Sequence, residues 1–183
     1  THTSGLAPGV PWTRLIRDYG NYCPEAVWWW VVENPPRIEP DSGFLYSDLN
    51  YLTLRLIVER VTGERMAVFA RREIFEPLGM KGSLMYEDVQ EIIPGRATGY
   101  DRDDQGRLRV THNYNFDVAG DGQMYSTVED VIRWDDYLHG EEEPPIRSLM
   151  MTEGALNNGE ATGYALGIRL DEYRGLRTVG HSG

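Results

Sequence analysis

Residues 43–64 read GFLYSDLNYLTLRLIVERVTGE. Leu49, Leu52, Leu56 and the pair Ile57/Val58 recur at helical spacing, with Arg55, Glu59 and Arg60 between them. That pattern predicts an amphipathic helix with one face against a core. Ser47 or Asp48 can cap its amino end, and Gly63 can end it in the left-handed conformation that side chains disfavour. Taken alone, Tyr46-Ser47-Asp48 reads as an aromatic core residue followed by a helix cap.

Working outward, a short helix is expected from about Thr13 to Tyr19. Pro24 then opens a second, over EAVWWWVVEN, closed by Pro35-Pro36. Three successive tryptophans sweep about 200° of a helix, so a single buried face cannot hold them all. Core packing plus a partly exposed ring is the simpler reading; contact with a partner segment or an apolar ligand is the sharper one. Past Gly63 a helix is expected over about Arg65 to Phe75, stopped by Pro77 and Gly79. Residues 82–123 read as irregular, with DRDDQG (101–106) a solvated loop. A helix follows Ser126-Thr127, with Glu129 and Asp130 at the positive end of its dipole, and another runs around Ile146 to Met151 after the acidic run Glu141 to Glu143. At the end, YALGIRL and LRTVGHS are β-prone runs either side of DEYRG, a predicted hairpin.

Composition narrows the classes. The 183 residues suit one domain with a real core, and 40% hydrophobic with 26% charged residues are ordinary for a globular chain. A net charge of −11, from 18 basic and 29 acidic residues, disfavours binding to phosphate backbones, so nucleic acid is not an expected partner. No apolar run is long enough to span a membrane, and the first thirty residues lack a signal-peptide pattern. Cys23 is alone, so no disulfide forms within the chain and a small buried or half-buried thiol is expected. His2, His112, His139 and His181 lack the i,i+4 spacing of a helical zinc site, and no metal or cofactor is implied.

Several motifs then appear in order: THTSGL (1–6), the stretch 43–64, IFEPLGMKGS (74–83), AGDGQMYSTVEDVIRW (119–134), GYALGIRL (163–170) and VGHSG (179–183). This succession resembles the serine β-lactamase and penicillin-binding-protein family, in its branch of esterases and D-aminopeptidases. The resemblance implies an α+β fold: here the mostly helical portion of a β-lactamase/transpeptidase-like fold, with a terminal hairpin belonging to an antiparallel sheet. It implies a single partial domain over 1–183, helical or irregular to about 160 and hairpin over 161–183. It also implies a serine in S-x-x-K that attacks an acyl carbon with a lysine one turn away. By resemblance Tyr46 is the proton-relay tyrosine, and Asp48 stands where many members carry asparagine. His181, Ser182 and Gly183 form the strand motif lining the substrate cleft, with histidine in place of the usual lysine. His2 and Asp130 are expected to be structural.

Lys81 is the one lysine, and Leu78 stands three residues before it, so the sequence contains no S-x-x-K. The expectation is an internal part of a serine hydrolase, its nucleophile lying outside these residues and the chain alone inactive. The substrate would be an ester, a D-amino-acid peptide or amide, or a β-lactam. Apolar surface left uncovered would favour self-association. Two rivals stand beside this reading. One is a non-catalytic module that binds a ligand or partner through the same cleft. The other takes Gly180-His181-Ser182-Gly183 as a truncated G-x-S-x-G elbow of an α/β-hydrolase, with Ser182 as nucleophile.

Overall fold

The computed structural model describes residues 1–9, 11–20, 23–111, 118–140 and 145–182. Expectations resting on His112, on Glu141 to Glu143 and on Gly183 lie outside them. Mixed helices and small antiparallel sheets make up the architecture, as expected of the α+β class.

The amphipathic stretch forms helix α3, Asp48–Thr62, after α1, Trp12–Tyr19, and α2, Pro24–Glu33. Leu49 and Leu52 are fully buried against Leu15, Ala26, Val27 and Val118. Each such leucine contributes about 1.5–3 kcal/mol of transfer free energy. Gly63 ends α3 at φ 72°, its N–H donating to the Glu59 carbonyl. Ser47 occupies the N-cap position without capping: its hydroxyl donates instead to the Ala7 carbonyl at 2.6 Å, stitching the first loop to the helix start. In α2 Trp30 is half-buried against the core, while Trp28 and Trp29 are about half exposed.

Residues 65–75 split into α4, Met66–Ala70, and a π-helical turn, Arg71–Phe75. Phe75, Ala70 and Met80 form a second small core, with Trp134 packed against it. The expectation of irregular structure over 82–123 is corrected. Strand β1, Leu84–Met85, pairs with β4, Met124–Tyr125, and β2, Gly99–Arg102, forms a hairpin with β3, Leu108–Thr111. DRDDQG is the tip of that hairpin. Asp103 accepts the backbone N–H groups of Gln105 and Arg107, and Gly106 turns at φ 74°. Every residue of β2 and β3 is exposed, so the ribbon carries no alternation to detect.

Helix α5, Val128–His139, is capped as expected, Thr127 Oγ1 accepting from the Asp130 N–H at 3.2 Å. Asp130 is buried and accepts from the Gly82 N–H and the Ser83 hydroxyl, a joint between α5 and the loop before β1. Helix α6, Pro145–Met150, precedes the terminal hairpin of β5, Arg169–Tyr173, and β6, Leu176–Gly180. The hairpin is present, but its turn is Arg174-Gly175 alone, both at positive φ (53° and 79°). Asp171 to Tyr173 therefore belong to β5, and most of YALGIRL precedes the strand.

Candidate active site

Tyr46 and His181 meet across 135 residues of sequence. Tyr46 sits on the extended segment feeding α3, and His181 follows directly on β6; Tyr46 Oη lies 3.2 Å from His181 Nε2. Around them is a cleft of about 150 Å3 lined also by Asp48, Tyr51, Asp121, Tyr164 and Gly167. Four places in the chain thus converge: the start of α3, the loop before β4, the turn before β5 and the residue after β6.

Local geometry fixes each group. Asp48 and Tyr51 are three residues apart and share a face of α3. Gly167 takes φ 84°, and a Cβ there would stand 3.2 Å from the Tyr51 hydroxyl, so glycine lets the turn close on the tyrosine. Gly120 brings the next residue, Asp121, over α3: a Cβ on it would lie 3.2 Å from both the Tyr51 carbonyl and the Arg55 Cβ. The platform beneath is ionic. Arg55, buried, pairs with buried Glu87 at 2.9 Å and with Glu59 at 3.1 Å.

The electrostatics favour neutral phenols and a negative rim. Burial raises the Tyr46 pKa, the Asp48 charge raises it further, and Arg169 opposes. Burial likewise raises Tyr51 and Tyr164. Asp121 is pushed up to about 6, chiefly by desolvation and also by Asp48. It stands at the exposed rim, so solvent screening tempers any consequence for stability. Chemically, the Tyr46–His181 contact can pass a proton between phenol and imidazole, and the two carboxylates attract a cation.

A larger hollow of about 500 Å3 lies between α6 and β6, lined in part by Arg147 and Arg177. Backbone carbonyls already occupy both arginines: Arg147 donates to Tyr137 and Gly140, Arg177 to Met151. Among the described residues no group of three or more His, Cys, Asp or Glu side chains could hold a metal ion.

Of the residues singled out from sequence, Tyr46, Asp48 and His181 come together. Ser182 is exposed beside His181 and does not line the cleft, and Gly183 lies outside the described residues. The elbow reading is corrected: β6, which leads to Ser182, pairs antiparallel with β5, whereas an elbow serine sits on a strand-to-helix turn above a parallel sheet. Tyr51, Asp121, Tyr164 and Gly167 were not singled out. Tyr51 could have been found by its spacing from Asp48, and Asp121 stands inside the motif AGDGQM.

A family model described as Beta-lactamase matches residues 1–183. The chain belongs to the Beta-lactamase family. This Beta-lactamase-family chain is 27% identical over 152 residues to a D-aminopeptidase of Brucella anthropi, covering 79% of this chain and 28% of that protein. It is 29% identical over 160 residues to a penicillin-binding protein of Bacillus subtilis, covering 79% of this chain and 35% of that one. The chain therefore spans only about a third of the length of these curated relatives. An octameric penicillin-binding protein homologue from Pyrococcus abyssi superposes with a TM-score of 0.79 at 24% identity, over 99% of this chain and 44% of that chain. At that identity the likeness speaks to the fold, here the β-lactamase/transpeptidase-like one.

Proposed function

We propose that these residues form one wall of the active-site cleft of a serine hydrolase that works through an acyl-enzyme, with Tyr46 as proton relay. The observation that carries the reading is the Tyr46–His181 contact at 3.2 Å inside a cleft that also holds Asp48. Family membership supports hydrolysis in general, and relatives named D-aminopeptidase and penicillin-binding protein support acyl chemistry. The nucleophile comes from outside the 183 residues, which contain no S-x-x-K. With its pKa raised, Tyr46 stays a neutral phenol until a cation such as the S-x-x-K lysine is set against it. The chain alone is therefore inactive in acyl transfer. His181 lines the substrate path and Ser182 flanks it.

The carboxylates sharpen the choice of substrate. Asp48 and Asp121 repel a substrate carboxylate and attract an ammonium group, so an unblocked D-amino-acid peptide or amide fits better than a β-lactam, whose recognition uses an anion. An uncharged ester stands between them. The exposed apolar residues Leu54, Ile57 and Val61 along α3 are the surface we assign to self-association, checked by sedimentation of wild type against Ile57→Glu.

Labelling with a fluorophosphonate or penicillin probe tests the reading. The 183-residue chain should take no label, and the protein that joins it to an S-x-x-K serine should take one there. Label on Ser182, abolished by Ser182→Ala, would overturn the assignment. The absence of S-x-x-K equally suits a non-catalytic module that binds through the same cleft; a coding sequence that supplies no S-x-x-K would establish it in place of the enzyme.

A further inference from the structure

Tyr46 is 38% exposed, and among the described residues His181 is the one hydrogen-bond partner of its hydroxyl. A phenol so placed needs another restraint to stay in register with the imidazole. His2 supplies three. The N–H of Leu45 donates to the His2 carbonyl at 2.9 Å, and the N–H of Ser47 donates to His2 Nδ1 at 3.1 Å. Both amides flanking Tyr46 are thus held by one residue. The His2 ring itself packs against the Tyr46 ring, centroids 4.1 Å apart and planes inclined by 32°, a tilted ring contact.

His2 is in turn over-determined. It is 2% exposed and holds φ 57°, a left-handed conformation that costs a non-glycine residue about 1–2 kcal/mol. Asn50 Nδ2 lies 3.0 Å from the same Nδ1, and the Tyr164 ring stands edge-on at 4.9 Å. With Nδ1 accepting from two N–H donors, the neutral imidazole carries its proton on Nε2. That buried Nε2 has no hydrogen-bond partner among the described residues and is set among aromatic rings. An ordinary core histidine needs burial and one satisfied nitrogen. Here the backbone carbonyl and Nδ1 hold the two amides that flank Tyr46, and the ring face bears the Tyr46 ring.

We infer that His2 is the positioning residue for Tyr46, clamping the backbone on both sides of it and bearing its ring, so that the phenol meets His181. The geometric claim stands by itself; its importance for acylation rests on the relay reading of Tyr46. Two substitutions separate the restraints. His2→Asn keeps an acceptor near Nδ1 and tolerates positive φ but removes the ring; His2→Phe keeps a ring and removes the acceptor.

The readout is the ring-nitrogen chemical shift of His181 by NMR in the 183-residue chain. In wild type, Tyr46→Phe removes the hydrogen bond to His181 Nε2 and should move that resonance. In a His2→Asn background, Tyr46→Phe should have no further effect, and His2→Phe should reduce the coupling partway. A purely structural His2 would lower stability and leave the coupling intact, and intact coupling in either folded variant overturns the inference. Should neither variant fold, wild type decides: Tyr46 ring protons must show ring-current shifts and cross-relaxation with the His2 ring, and random-coil values there overturn it. A lost coupling with an unchanged acylation rate in the S-x-x-K-bearing protein would instead refute the relay reading and leave the positioning claim standing.

Discussion

Replacing Glu87 by glutamine strikes the platform under the cleft. The Arg55 side chain is 4% exposed and the Glu87 side chain 1%, so neither charge has water to fall back on. The substitution leaves the Arg55 guanidinium in place, with Nη1 already lacking a hydrogen-bond partner among the described residues. Breaking a buried pair from one side costs about 3–5 kcal/mol. Glu59 still touches Arg55 at 3.1 Å and the new amide oxygen can accept, so the lower end applies, about 3 kcal/mol. Urea unfolding followed by tryptophan fluorescence should show the midpoint falling by about 1.5 M, for a slope of roughly 2 kcal/mol/M. The loss should persist in 1 M salt, because the pair is shielded from counterions. Replacing both partners, Arg55→Met with Glu87→Met, should recover most of it, since the buried charge goes too. A Glu87→Gln loss below about 1 kcal/mol, or one that salt erases, would refute the reasoning. The same change should loosen Gly120, which packs on Arg55, and with it Asp121.

Gly167→Ala should destabilise by about 1–2 kcal/mol in the same assay, from its positive φ and the close Tyr51 hydroxyl; a stabilised variant would contradict this. Burial holds the His2 pKa near 4 against an ordinary 6.5, so the native state prefers neutral imidazole. That preference contributes stability above pH 6.5 and loses it as pH falls toward 4, roughly 2 kcal/mol between pH 7 and 5. His2→Asn should lose correspondingly less on acidification, and parallel pH profiles would count against it. Asp121 has the opposite sign: its raised pKa favours the native state below about pH 4, an advantage lost as pH rises through 6. Asp121→Asn should flatten that window slightly, and should raise KM for D-amino-acid amides while sparing neutral esters; equal effects on both would remove its role as a cation site.

What could be read from sequence follows from where the physical signal was local. Helix α3 was legible because Leu49, Leu52 and Leu56 repeat on one face and Gly63 supplies a left-handed stop. The use of Ser47 was not, because its hydroxyl reaches Ala7, forty residues away, in preference to its own helix. The β2–β3 ribbon left no pattern, since both faces meet solvent. Tyr46, Asp48 and His181 were legible through ordered motifs. Asp121, Tyr164 and Gly167 acquire meaning only where the turn before β5 and the loop before β4 close over Tyr51. His2 was read as structural for want of any local sign that both neighbours of Tyr46 would bond to it.

The most direct test is the acylation rate of Tyr46→Phe in the protein that unites this chain with its S-x-x-K serine, measured in a single turnover with a D-amino-acid ester. Loss of a positioned proton relay should slow acylation by about 10²–10⁴-fold while the stoichiometry of labelling is unchanged. An acylation rate equal to wild type, with the variant folded, would contradict the assignment of Tyr46 and with it the reading of this cleft.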